Sequence, residues 1–279
     1  MAKFDLHLHS DCSDGSDTVQ ELVKVIVDNK LEIVALTDHD TVSGISEIRN
    51  SLPKNIKFIP GIELTSKAKD IKCHILGYGI DENNSALLDL IEKGKVLRRQ
   101  KLETRIKFLK EKWNIELTPD ELNWLYARKS VVKTHMANII VNRGLADNNV
   151  DAMKKYLDGC KTGNTRFDGE EAIRVIKLSG GIPVWAHPLG GEGEEHLTKD
   201  AFLPKLETMI SCGIQGLECY YSRYSDSEIS FLKECANNNG LFITGGSDYH
   251  GTNKDVPIVK LNINGEPVDS KELNLKPLI

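Results

Sequence analysis

The sequence contains no apolar run approaching the roughly 18 residues needed to span a bilayer, so no transmembrane helix and no membrane partner are expected. Its start, MAKFDLHLHS, alternates polar and apolar residues and lacks the continuous apolar stretch of a secretory leader. A cytoplasmic protein is therefore expected. Six cysteines form no CxxC pair and no even framework, which makes reduced thiols the expectation. A basic excess is missing too: 36 Lys and Arg stand against 41 Asp and Glu, a formal charge of −5. That excludes a global field able to hold a long nucleic-acid tract, so any anion site must be local or draw its positive charge from metal. Internal repeats and low-complexity tracts are absent as well. What remains is 279 residues, 40% of them hydrophobic, a length that suits one α/β barrel or one catalytic domain with an insertion.

The pattern along the chain alternates strand and helix. Phe4 to His9 reads as a strand by its period of two, and residues 17–29 as an amphipathic helix capped near Asp17 or Thr18. Leu31 to Thr37 is an apolar, β-branched run typical of a doubly buried strand. A short helix from Ser43 to Asn50 and strands over 56–64 and 71–78 follow, an opening that predicts a mainly parallel sheet. Residues 83–165 change character. A long basic-rich helical pattern runs from Ser85 to Trp113, Pro119 opens another helix, and no strand is evident, which predicts a helical insertion. Alternation then resumes, with a helix closed by Gly180 and Gly181 and strands at 182–186, 214–219 and 241–244. The expected organisation is thus a barrel built from residues 1–82 and 166–279, with the insertion as a cap. Its seven or so strands suit a barrel better than an open sheet.

Chemistry-bearing residues collect at the downstream ends of the expected strands, the edge where parallel α/β folds build their sites. His7 and His9 close the first strand as H-L-H, so a period of two puts both imidazoles on one face. Asp14 follows in S-D-G-S, His39 closes the second strand in T-D-H-D, and Glu63 lies in G-I-E-L. His74 lies in K-C-H-I-L-G, His187 in A-H-P, and Asp248 and His250 in G-G-S-D-Y-H-G. Singly, each could be a capping aspartate or a satisfied core histidine. Gathered without a cation, nine such groups would carry unpaired charge costing several kcal/mol. Imidazole plus carboxylate is a ligand set for manganese, iron or zinc. Nine ligands fit two or three divalent ions, especially if Glu63 bridges a pair. Metals roughly 3.5–4 Å apart clamp phosphoryl oxygens and turn bound water into a nucleophile near neutral pH. Cys12 and Cys73, beside Asp14 and His74, read as buried inert thiols, since alternation turns Cys73 away from His74.

The ordered set F-D-L-H-L-H-S-D-C-S-D-G, L-T-D-H-D-T-V-S-G, G-I-E-L, H-I-L-G-Y, A-H-P and G-G-S-D-Y-H-G resembles the motifs of the PHP (polymerase and histidinol phosphatase) family over nearly the whole chain. The helical insertion makes it similar to the TrpH/YciV-like branch of nucleotide phosphatases and 5′-to-3′ exoribonucleases. The resemblance implies a distorted (β/α)7 TIM-like barrel with a trinuclear site at its C-terminal edge. Carried over motif by motif, His7, His9, Glu63 and Asp248 would hold one metal. Glu63, His74 and His187 would hold a second, and Asp14, His39 and His250 a third. V-V-K-T-H-M-A-N-I-I in the insertion resembles the branch's R-P-H-I-A segment, which meets the substrate phosphate. His135 matches it, and Lys133 stands in the arginine's place, keeping the charge without the bidentate fork. The resemblance gives both a substrate-binding role, and His135 is a candidate to protonate the leaving oxygen. The denser basic run of Arg98, Arg99, Lys101, Arg105 and Lys107 reads as a solvated helix face rather than an RNA track.

The expected function is a metal-dependent phosphoesterase acting on a small nucleotide substrate: a 3′,5′-bisphosphate, a mononucleotide or the 5′ end of a short RNA. A histidinol-phosphate-type phosphatase is the alternative within the family. A metal-dependent amidohydrolase is disfavoured because Glu63 stands where a bridging lysine would be needed. A binding module with structural metals is disfavoured because structural sites are closed by protein ligands.

Overall fold

The computed structural model describes residues 3–163, 165–192, 194–275 and 278. The first strand, β1 (Phe4–Leu8), is buried along its whole length and pairs in parallel with β2 (Ile33–Leu36), which pairs in parallel with β3 (Lys57–Ala68). Next comes β4 (Ile71–Tyr78), followed by the two-residue β5 (Phe167–Asp168), β6 (Ile182–Trp185), β7 (Gly216–Tyr221) and β8 (Phe242–Gly246). The sheet runs β1-β2-β3-β4-β6-β7-β8, with β5 added at the far end of β3. It closes on itself where the His9 N–H donates to the Tyr249 carbonyl at 3.0 Å and the Asp248 N–H to the His7 carbonyl at 3.0 Å. This is the expected distorted seven-stranded barrel, and its sheet is mainly parallel as expected, β4 alone running antiparallel to its neighbours β3 and β6.

Local chemistry explains the element boundaries. Helix α1 (Val19–Asp28) starts at a reciprocal capping box between Thr18 and Glu21, and its inward face is Val19, Leu22, Val23 and Ile26. Helix α2 (Ile45–Ser51) stops two residues before Pro53. After the barrel's first half, α3 (Ser85–Trp113) is capped by the Asn84 side chain and ended by Asn114 in the left-handed region. α4 (Pro119–Tyr126), α5 (Lys133–Asn142) and α6 (Asn149–Ala152) complete the helical block, which runs on into a π-turn over Met153–Leu157. The return to the barrel brings α7 (Gly169–Leu178), α8 (Lys199–Ser211) and α9 (Asp226–Asn238). No described helix is long and apolar enough to cross a membrane.

Two apolar clusters belong to the barrel, a large one joining most strands to α7, α8 and α9 and a smaller one joining β1 and β2 to α1 and α2, and a third, built around Leu102, Leu109, Leu125, Met136, Ile140 and Leu157, belongs to the helical block. Helix α3 serves two of them. Leu87, Leu90 and Ile91 pack into the barrel, while Leu102 and Leu109 pack into the cap, so the first two turns of α3 belong structurally to the barrel. All six cysteines are free; Cys73 lies in the barrel core, where burial pushes its thiol up to about 12, as expected of an inert group.

The seam between β8 and β1 leaves no room. A Cβ on Gly246 would stand 2.2 Å from the His7 Cβ and 2.4 Å from its backbone nitrogen. Gly246→Ala is therefore expected to lower stability by about 1–3 kcal/mol, the range for overpacking a tight core. A lower urea midpoint at unchanged slope is the expected reading; an unchanged midpoint would mean the seam can open without cost.

Candidate metal centre

Every strand bordering the barrel mouth except β7 sends a donor to one point, and Glu63 occupies that point. Its Oε2 lies 3.2 Å from His7 Nε2, 3.2 Å from His9 Nε2 and 3.1 Å from His39 Nδ1. Its Oε1 lies 3.0 Å from His74 Nδ1 and 3.2 Å from His187 Nε2. Asp248 Oδ1 faces His7 and His9 from the other side, at 3.6 and 3.5 Å. Asp14 Oδ1 stands 3.2 Å from His250 Nε2, 3.8 Å from His9 Nδ1 and 4.0 Å from His39 Nε2. All nine residues singled out as metal ligands in the sequence thus meet in one cluster. Two corrections concern how they arrive. Glu63 and His74 are not at strand ends but within β3 and β4, because β3 runs past the rim and β4 comes back towards it.

The donors fall into three groups whose ligand atoms lie within 4.8 Å of one another. His7, His9, Glu63 and Asp248 form the first, as the family resemblance implies. The other two differ from that implied assignment. His39 joins Glu63 and His74, while His187 stands outside this group; and His9 joins Asp14, His39 and His250. His187 keeps one nitrogen on Glu63 and turns the other, at 3.4 Å, to Glu194 Oε2.

The donor set fits divalent cations. His7 Nε2, His9 Nε2, Asp14 Oδ1, His39 Nδ1, Glu63 Oε2, His74 Nδ1 and His250 Nε2 are buried and have no hydrogen-bond partner. At about 1–3 kcal/mol for each unsatisfied group, seven of them would rival a domain's whole net stability of about 5–15 kcal/mol. Protons or metal ions must fill the space between them. Without metal, protons sit on part of the cluster only: His7, His9 and His187 are raised, whereas burial lowers His39 and His250. Burial works against an imidazolium at His7, but Glu218, Glu63 and Asp248 outweigh it and hold His7 well above its usual range. His9 is raised against the same burial to about 9, and His187 to about 10. Burial would raise the carboxyls of Glu63, Asp14 and Asp248, yet the surrounding imidazoles, joined by Lys254 at Asp248, hold them well below the ordinary range.

A second layer of residues fixes these donors, and sequence reading had missed it. Glu218 in β7 accepts from His7 Nδ1 at 2.8 Å, which leaves Nε2 aimed at the cluster, and its other oxygen accepts from the His187 N–H at 2.7 Å. Its only signal in the sequence is a lone carboxylate inside the apolar strand G-L-E-C-Y-Y. Asp38 accepts from the Ser10 N–H and from the Ser10 and Ser13 hydroxyls, tying down the loop that carries Asp14. Tyr221 and Lys254 both donate to Asp248 Oδ2, leaving Oδ1 for the cluster. His187, Asp248 and Asp40 all have positive φ (30°, 61° and 52°), a backbone strain common where a site is over-determined by its surroundings.

The cap residues are placed differently from the sequence expectation. Lys133, assigned to substrate, pairs instead with Asp158 inside the cap. Its position at the first turn of α5 turns the ammonium towards the segment after the π-turn. His135 is buried, its Nδ1 accepts the Val132 N–H at 3.1 Å, and burial pushes its imidazole down to about 4. Burial thus favours the neutral imidazole near pH 7. Next to it, the Thr134 hydroxyl reaches Asp14 Oδ2 at 3.3 Å. Arg98, read as part of a solvated face, is 7% exposed. It pairs with Asp40, beside His39, and donates to Thr65 Oγ1 at 3.0 Å. Lys101 and Arg105 are also partly buried, while Arg99 and Lys107 are exposed.

The PHP domain family matches residues 5–168 of the chain. The chain is 29% identical over 253 residues to the 5′-3′ exoribonuclease Rnm of Escherichia coli K12, covering 88% of this chain and 85% of that protein. It is 28% identical over 258 residues to the 3′,5′-nucleoside bisphosphate phosphatase of Chromobacterium violaceum, covering 90% and 88%. Among solved structures, one from Chromobacterium violaceum, described as an amidohydrolase with bound sulfate and no metal, superimposes with a TM-score of 0.80 at 26% identity, covering 92% of this chain and 90% of the other.

Metal loading must displace the protons held on His7 and His9. In the metal-free protein His9 holds its proton up to about pH 9, His7 is likewise held well above its ordinary range by Glu218, Glu63 and Asp248 against the opposing effect of burial, and both must be neutral to bind metal. Apparent affinity for Mn²⁺ or Zn²⁺ is therefore expected to rise with pH up to about 9. Calorimetry at pH 7.5 in two buffers of different ionisation enthalpy is expected to record net proton release, and zero release would contradict the protonated cluster. Glu218→Gln is expected to weaken metal binding by about 10–100-fold, the usual loss when a partner that orients a ligand is removed.

Proposed function

This chain belongs to the PHP-domain family of metal-dependent phosphoester hydrolases, and from that premise we propose that it hydrolyses phosphate esters of nucleotides: a 3′,5′-bisphosphate, a mononucleotide or the 5′ end of a short RNA. The observation that carries the reading is the gathering of seven buried, unpartnered ligand atoms, Glu63 Oε2 among them, in one cluster. In this reading His7, His9, Asp14, His39, Glu63, His74, His187, Asp248 and His250 hold two or three divalent ions, manganese, iron or zinc. Such ions lower the pKa of water towards neutrality and offset charge on phosphoryl oxygens.

The chain's own residues do the rest. Glu218 fixes the tautomer of His7, and Lys254 takes up the second oxygen of Asp248, so the donors are pre-set for cations. The cavity of about 50 Å³ at the cluster is bordered by His39, His74, His187, Glu194 and Lys254, so a reacting group that enters it lies directly beside the donors. Substrate-side positive charge comes from Arg98, Arg128 and Lys129 rather than Lys133. The three line a neighbouring cavity of about 220 Å³, and the Nε atoms of Arg98 and Arg128 are buried without hydrogen-bond partners, which supports an anion contact there. His135 contributes as a neutral group that fixes the start of α5 over the Asp14 loop, and the proton for the leaving oxygen comes from water.

His39→Ala and Asp248→Ala are expected to lower kcat/KM at least 100-fold, in line with loss of a preorganised electrostatic contact, with circular dichroism unchanged. Arg128→Ala is expected to raise KM about 10-fold, the loss of one charge-assisted hydrogen bond, whereas Lys133→Ala leaves it within about 2-fold, as befits an exposed ion pair. Assay against nucleoside bisphosphates, mononucleotides, 5′-phosphorylated oligonucleotides, histidinol phosphate and cyclic amides tests the reading. Turnover of amides or histidinol phosphate alone would overturn it.

A further inference from the structure

Beyond the rim, β3 and β4 continue as a hairpin, with Thr65 opposite His74 and Lys67 opposite Lys72. Strand alternation puts Glu63, Thr65 and Lys67 on one face, together with His74 and Lys72. The face that carries two metal-site residues therefore carries two lysines further out. Four residues separate Glu63 from Lys67, about 13 Å of strand. Helix α3 lies over this face. Arg98 anchors it by donating to Thr65, and Lys101 and Arg105, three and seven residues on, occupy the same side of the helix.

Between hairpin and helix lies a cavity of about 400 Å³ lined by Lys67, Lys72, Lys101, Arg105, Thr165 and Arg166. Among the described residues no carboxylate lines it. Only Lys67 has an ion-pair partner, the exposed Asp70 at 3.3 Å. Thr165 is 8% exposed, and its Oγ1 is buried with no hydrogen-bond partner. Burial and the neighbouring cations push Lys101 down to about 7 and Arg105 down to about 10. Five basic side chains held together with a single ion pair among them, that of Lys67 with Asp70, repel one another, a cost explained if an anion normally occupies the space.

We propose that this cavity is a phosphate subsite that receives the internucleotide phosphates following the scissile one, so that the enzyme's substrate is an oligonucleotide 5′ end threaded from the metal centre along the β3–β4 hairpin. The proposal rests on the nucleotide phosphoesterase reading. A strand leaving the metal centre meets Arg98 first and then the five cations in order along the hairpin. Negative net charge does not oppose this, because the contacts are local and few.

Binding to metal-loaded protein tests it, using 3′-labelled, 5′-phosphorylated oligonucleotides with phosphorothioate linkages, which keep the charge and resist hydrolysis. A tetranucleotide is expected to bind at least 10-fold tighter than the mononucleotide. The double variant Lys101→Met, Arg105→Gln is expected to remove that difference while changing mononucleotide binding less than 2-fold. The slope of log affinity against log salt is expected to fall by about 1.4, two contacts at about 0.7 each for single strands. Because the variant relieves repulsion, its melting temperature without ligand is expected to hold or rise. Equal binding of both lengths by the wild type overturns the proposal, as does equal weakening of both in the variant. So does displacement of neither ligand while inorganic pyrophosphate protects Lys101 from acylation, which would mark an independent small-anion site. Length-dependent binding without hydrolysis of any nucleotide would refute the phosphoesterase reading alone.

Discussion

A buried carboxylate at the convergence of five imidazoles is the constraint around which this barrel is built. Glu63 is fully enclosed, and a lone ionised carboxylate there would cost several kcal/mol. Its neighbours remove that cost only if positive charge sits between them, as protons or as divalent ions. The groups that do so come from residues 7 to 250, so the centre exists only once the sheet has closed. Closure is enforced at the same place: Gly246 lies against His7, and the Asp248 N–H bonds the His7 carbonyl. Metal binding and barrel closure therefore draw on the same contacts, and any cation held there contributes directly to folding stability.

The reversed direction of β4 decides how the site is shaped. In a wholly parallel barrel each strand ends at the rim, and its loop supplies the chemistry. Here β3 runs past the rim to Ala68 and returns as β4, so His74 reaches the centre from a strand entering rather than leaving it. The hairpin that this creates stands above the metal centre like a wall. Arg98 joins α3 to that wall, and Thr165 and Arg166 lie where the chain leaves the cap to add β5 at the end of β3. The reversal accounts for both the central place of Glu63 within a strand and the basic cavity beyond it.

Much of this was legible in the residues. Alternation in F-D-L-H-L-H put both histidines on one face, and most later donors, Asp14, His39, His187, Asp248 and His250, sat in turn-rich segments after an apolar run, so much of the ligand list could be read before any geometry. Direction could not: an eight-residue apolar strand reads alike whether parallel or antiparallel. The basic run in α3 was misread for a related reason. Its first turns face the barrel and its last turns face the cap, so no single apolar stripe marks which cations turn inward. Lys133 was placed by motif, but its orientation depends on Asp158, twenty-five residues away, beyond a π-turn that sequence did not announce. Glu218 was overlooked because a single carboxylate in an apolar strand carries no periodicity.

Net charge is the property that hides most. A formal −5 describes the molecule at a distance, where salt screens individual charges beyond about 8–10 Å. Near the mouth the distribution is strongly polarised. Carboxylates gather with imidazoles at the centre, and basic side chains, all but Lys67 without an ion-pair partner among the described residues, gather one hairpin length away. Cations bound at the centre would cancel its acidic side and leave the outer basic cavity as the dominant field, focused by low-dielectric walls. Under the threading proposed above, an anionic chain would be drawn to the hairpin before it reaches the metals. The global charge would then discourage long polyanions from coating the surface, while the local arrangement would favour those that present an end.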